Sequence, residues 1–84
     1  MARGPFSGRD IVKVMVNRGI YEWRWTNGDH AILRWDPPVD HDSDARTVPV
    51  PLYDEVDRGT LRSSAEQAGA HDFEEFCGWI ERNR

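Results

Sequence analysis

The stretch that most constrains this chain is Tyr21–Trp35, YEWRWTNGDHAILRW. Alternating residues stand on either side of an Asn-Gly pair, which is a short-range hairpin signal because both residues tolerate positive φ. On strict alternation Tyr21, Trp23 and Trp25 share one face, and Ile20, Glu22, Arg24 and Thr26 the other. On the return strand His30, Ile32 and Arg34 share a face, so the turn sets where the imidazole of His30 is presented.

The remainder of the chain supplies partners for that hairpin. In SGRDIVKVMVNRG, Ser7 is placed to cap a helix with Asp10 three residues on. Ile11, Val14 and Met15 recur at helical spacing, and Gly19 follows as a left-handed stop. A helix is expected over about residues 8–18. DPPVDHDSDA breaks the pattern as an acidic loop, and RTVPVPL resumes a strand. There Pro49 lacks a ladder donor and so argues for an edge position. A second helix is expected from near Thr60, with Leu61, Ala65 and Ala68 as its stripe and Gly69 as its stop. A third has Asp72 as cap and Phe73, Phe76, Cys77 and Ile80 on one face.

The order α-β-β-β-α-α predicts an α+β domain: a three-stranded antiparallel sheet with helices packed on one face. Residues 1–6 are expected to be a flexible N-terminus and 7–84 a single domain, with the last few residues frayed. At 84 residues one small core is all the chain supports. No apolar run reaches the roughly 20 residues of a membrane span, and the N-terminus lacks the apolar segment of a secretory signal. Cys77 is the only cysteine, which excludes an internal disulfide and a multi-cysteine zinc site. Its place on the apolar stripe reads as core. These features fit a cytoplasmic protein.

The net charge of −4 is unevenly spread. Residues 1–34 hold six basic and three acidic side chains; residues 35–84 hold five and twelve. The half containing His30 is mildly basic, and local potential matters more than the total for ligand approach. Histidine can donate or accept a proton near neutrality, so His30 suits acid–base chemistry. Lys13, Arg24, Arg34 and Arg62 are candidate phosphate contacts, with Arg9, Arg18 and Arg58 as further ones, and exposed Tyr or Trp rings could stack bases. His41 reads as an exposed loop residue and His71 as part of a cap region. Their spacing fits no metal site, and no cofactor is expected.

Four segments together, SGRDIVKVMVNRGI, GDHAIL, TVPVPLYDEVDRGTLRSSAEQAG and FEEF, resemble the HicA (YcfA-like) family of mRNA interferase toxins over about residues 7–77. The resemblance implies a double-stranded-RNA-binding-like fold, metal-independent endoribonuclease activity on mRNA, and silencing by a HicB-like antitoxin protein. The family's Gly-Ser-His motif corresponds to Gly28, Asp29 and His30. The catalytic role therefore carries to His30, as base or as acid, with Gly28 and Asp29 beside the RNA. Asp29 stands where serine is usual, and Tyr53 where many members have histidine. Two other readings share the same fold: a non-catalytic RNA-binding module, and a decayed toxin serving as a protein-interaction domain.

Overall fold

The computed structural model describes residues 5–39 and 44–84. Helix α1 (Gly8–Asn17) leads into strands β1 (Glu22–Asn27), β2 (His30–Trp35) and β3 (Arg46–Pro51), then helices α2 (Arg58–Gln67) and α3 (Phe73–Asn83). The strands form one antiparallel sheet in the order β1-β2-β3, as the sequence predicts.

Each helix begins at a side-chain cap. Ser7 Oγ accepts from the Asp10 amide at 3.1 Å, and an Asp72 carboxylate oxygen accepts from Glu75 at 3.1 Å. Asp57 does the same for Thr60 at 3.1 Å, which moves the start of α2 two residues ahead of the expected Thr60. The caps satisfy amides that an isolated helix leaves unpaired. At the far end of α2 the Ala68 carbonyl accepts from Tyr21 Oη at 3.0 Å and from Arg46 at 2.9 Å. That junction ties the approach to β1 and the start of β3 to one helix terminus, where a cation also suits the dipole.

One sheet face packs on the helices. Ala31 and Leu33 of β2 and Val48 and Val50 of β3 join Ile11, Val14, Met15, Leu61, Ala65, Phe76 and Ile80 in the core. Alternation sends His30, Ile32 and Arg34 to the opposite face. Pro49 and Pro51 sit on the edge strand opposite Ile32 and His30. Their missing amide protons fall at positions that do not donate to β2, so β3 tolerates two prolines. The outward Pro49 carbonyl accepts from Ser64 Oγ at 3.5 Å, and the ladder continues past Pro51 through Leu52 N–H to the Asp29 carbonyl at 2.6 Å.

Three expectations change. Trp23 pairs with Leu33 but Trp25 pairs with Ile32, so Arg24 is an extra residue bulged out of β1. The bulge places Trp23 on the helix side and Trp25 on the open side, instead of together. Gly19 does not have positive φ; a Cβ there would lie 2.6 Å from the Met15 carbonyl oxygen and 3.1 Å from the Trp79 ring, so close packing explains the glycine. Gly69 does take the left-handed conformation. At the termini, Phe6 is a core residue bridged to Val56 and not part of a flexible tail. Arg84 is likewise held, donating to the Pro5 carbonyl at 3.1 Å and lying over the Phe6 ring.

Gly8, the first residue of α1, abuts the end of β3. A Cβ there would collide with the Pro51 carbonyl oxygen and sit 2.7 Å from Leu52 Cα. Gly8→Ala should therefore lower unfolding free energy by ~1–3 kcal/mol, the usual cost of overpacking, as read from the urea midpoint at constant m-value.

Candidate functional site

The hairpin turn that presents His30 is tighter than the Asn-Gly reading implies. Asn27 pairs directly with His30, so Asn27 ends β1 and the two loop residues are Gly28 and Asp29. Gly28 has φ +63°, and Asp29 does not have positive φ. Glycine first in a two-residue loop is the pattern of a type II′ turn, whose twist matches the strands. Nothing lies within 4 Å of where a Gly28 Cβ would be. The glycine is needed for the backbone, and the space beside it is open.

His30 is half-buried and opens the central strand. Its ring meets Tyr53 edge to face, with centroids 6.2 Å apart and planes at 71°. Tyr53 is positioned by its carbonyl, which accepts from the Gly8 amide at 2.8 Å. Among the described residues neither imidazole nitrogen has a hydrogen bond or ion pair, so the ring is oriented by packing and its polar atoms are free. Trp25, 53% exposed, and Ile32 lie next along the same face.

The candidate RNA contacts do not converge on this imidazole. Arg34 shares its face but is held by Asp36 at 2.9 Å and donates to Thr47 Oγ1 at 3.0 Å. Arg24, on the bulge, pairs with Asp36 at 3.2 Å and Glu22 at 3.4 Å. Two cations and two anions thus cancel at the end of the hairpin away from His30. Arg62 lies over the Phe73 ring at 4.3 Å, on the α2–α3 side, and Arg58 is paired with Glu74. Lys13 is exposed on α1, near Arg9 and Trp23. The paired state of the arginines depends on acids two to sixteen residues away, which alternation alone did not reveal.

Cys77 is buried in the core, and burial pushes its thiol up, with Glu74 adding to the rise. His71 is exposed ahead of the α3 cap, and His41 lies outside the described residues. No group of three or more His, Cys, Asp or Glu gathers as a metal site among the described residues. Among them, too, no helix is long and apolar enough to cross a membrane.

Fold and site together define a small α+β domain that presents one unpaired imidazole at the end of an uncovered sheet face. The family described as HicA toxin of bacterial toxin–antitoxin systems matches residues 8–70, and the chain belongs to that family. It is therefore the toxin half of a toxin–antitoxin pair, of a family of nucleases that act on RNA and are paired with an antitoxin. No curated protein and no solved structure matches the chain.

The Asp36 carboxyl is held below its usual range, first by its hydrogen bond from Arg34 and then by the charges of Arg34 and Arg24. A depressed carboxylate stays ionised as pH falls past the ordinary aspartate range, so both arginines stay paired until lower pH. A carbon-13 carboxyl titration of Asp36 should show a midpoint below about 3.9, and Arg34→Gln should move it back up.

Proposed function

We propose that the chain is an endoribonuclease that cuts mRNA with His30 as its acid–base group. The observation that supports this reading is the half-buried, unpaired imidazole, held by the type II′ turn and Tyr53 beside open space at Gly28. In the proposed reaction the ribose 2′-hydroxyl attacks the adjacent phosphorus and the bond to the 5′ oxygen breaks. A 2′,3′-cyclic phosphate and a 5′-hydroxyl result. One proton leaves the 2′ oxygen and one reaches the 5′ oxygen. His30 handles one of these transfers and water the other. The nucleophile belongs to the substrate, so the scheme calls for no metal.

Arg34, four residues along β2 from His30 on the same face, is a candidate for a phosphate further along the strand from the cut. It reaches that role only by exchanging Asp36 for phosphate, and Arg24 is under the same restraint. The backbone of Gly28 and Asp29 would flank the substrate at the turn, with the Asp29 carboxylate limiting how closely a second phosphate approaches. Trp25 offers an exposed ring for a neighbouring base. The cytoplasm is the proposed place of action, and a HicB-like antitoxin the proposed inhibitor.

His30→Ala should lower cleavage of a synthetic RNA by about 10²- to 10⁴-fold with unchanged far-UV circular dichroism. EDTA should leave the parent rate unaltered, and a 2′-deoxy nucleotide at the cut site should abolish it. Parent-level cleavage by His30→Ala would remove the imidazole from the mechanism. RNA binding without cleavage at any pH would instead identify a non-catalytic binding module, and absence of RNA affinity at low salt an interaction domain.

A further inference from the structure

The cations of the open sheet face, Arg24 and Arg34, are paired with acids, so the free positive charge lies elsewhere. Among the described basic residues, Arg24, Arg34, Arg58 and Arg84 are in ion pairs, Arg46 donates to the Ala68 carbonyl, and Arg62 lies over Phe73. The side chains of Arg9, Lys13 and Arg18 make no ion pair, hydrogen bond or ring contact among the described residues, and all three lie on α1 or at its C-terminus. Arg82, on α3, is the other such cation.

Arg9, Lys13 and Asn17 are spaced i, i+4, i+8, so they form one ridge along α1, each about 6 Å from the next. Beside the ridge runs a groove of about 290 Å³, floored by Val12 and Val16 and walled on its far side by Trp23. Trp23 is 44% exposed, and its indole N–H donates to Thr26 Oγ1 at 3.0 Å, which fixes the ring's orientation. The ring belongs to the helix side of the sheet because of the bulge at Arg24. The bank of the groove carries cations, its floor is apolar, and its wall is an indole face. The N-terminal end of α1 touches Tyr53, the residue packed on His30.

We infer that this groove is a subsite for single-stranded RNA outside the cleavage site, taking one unpaired base against Trp23 and two successive phosphates on Arg9 and Lys13. The inference rests on the nuclease reading for its substrate, and deepens it by naming the substrate's state. A base in a duplex has both faces stacked and cannot reach an indole in a groove, so the subsite selects unpaired RNA. Cations without acidic partners favour a polyanion, and release of its counterions drives binding. The strand would run along α1 and pass its N-terminus to reach His30, so groove contacts and chemistry are separable.

The test uses the full chain carrying His30→Ala, which removes cleavage from the readout. Fluorescence anisotropy would follow a labelled twelve-nucleotide oligouridine, alone and annealed to its complement, across salt concentrations. The expected result is preference for the single strand. Trp23→Ala should weaken it by about 5- to 100-fold, with Trp23→Phe restoring most of the affinity. Arg9→Gln with Lys13→Gln should reduce the slope of log K against log salt by about 1.4, two phosphates at ~0.7 each. Thermal melts of every variant report whether the fold is kept. Parent affinity and slope in both variants would overturn the subsite while leaving nuclease activity untouched. So would equal affinity for the annealed duplex. Stronger capture by the same groove of a labelled polyglutamate peptide than of RNA would overturn it in favour of an acidic protein surface. Absence of cleavage by the parent chain with His30 intact, with the groove effects on binding retained, would sink the catalytic reading and support the groove.

Discussion

Everything distinctive about this molecule depends on the register of β2 between its two neighbours. The strand's odd-numbered residues, Ala31 and Leu33, are fully buried in the core, and its even-numbered residues, His30, Ile32 and Arg34, are on the open side. A slip by one residue would exchange the two sets, burying an imidazole and a guanidinium and exposing the apolar pair. The Gly28–Asp29 turn opposes that slip by fixing Asn27 opposite His30. The prolines of β3 stand where no amide proton is given to β2, which fixes the edge that β3 turns to its neighbour. The observed register then sets Val48 beside Leu33 and Val50 beside Ala31 on the core face.

Much of this was legible in the sequence because it is local. A serine or aspartate capping an amide three residues on acts within one turn, so Ser7 and Asp72 could be read directly. The hairpin, its histidine and the edge strand follow from alternation and from proline chemistry. What escaped was the departure from alternation. Nothing in EWRWTN marks Arg24 as the bulged residue; the bulge is favoured by the different environments of Trp23 and Trp25, which only the folded sheet defines. Gly19 escaped for a related reason. A glycine after a helix reads as a left-handed stop, whereas this one makes room for the Trp79 ring of a helix some sixty residues later. Asp57 could have been read as a cap by the same rule that found the other two, since Thr60 stands three residues on.

The site was half legible for an electrostatic reason. Residue types identify cations, but whether a cation is available depends on which acids the fold brings within about 4 Å. Asp36 sits just beyond β2, where it meets Arg34 from its own strand and Arg24 from the bulge of the adjacent one. Exposed pairs of this kind contribute little to stability. Their effect here is on availability: each arginine must give up a carboxylate before it can hold a phosphate. The same accounting leaves α1 with uncompensated charge, and a helix surface keeps such charges in a row with fixed spacing.

A net charge of −4 taken as a whole opposes RNA, but the relevant length is set by screening. At physiological ionic strength the Debye length is about 8 Å. The molecule extends 37 × 30 × 21 Å, so one surface can be several screening lengths from another. A phosphate near Lys13 therefore responds chiefly to charges within about a turn of helix, and those are Arg9, Lys13 itself and Asp10, whose carboxylate is paired with Arg84 at 3.5 Å. The acids concentrated after residue 35 act on it only where they come equally close. At ~0.01 M ionic strength the screening length grows to roughly 30 Å, comparable with the whole domain, and the net negative charge then opposes the local positive ridge. The sign of the field felt by a polyanion is thus a property of the salt as well as of the sequence. In an acidic chain it is local placement, one side chain per turn of α1, that decides whether RNA can approach.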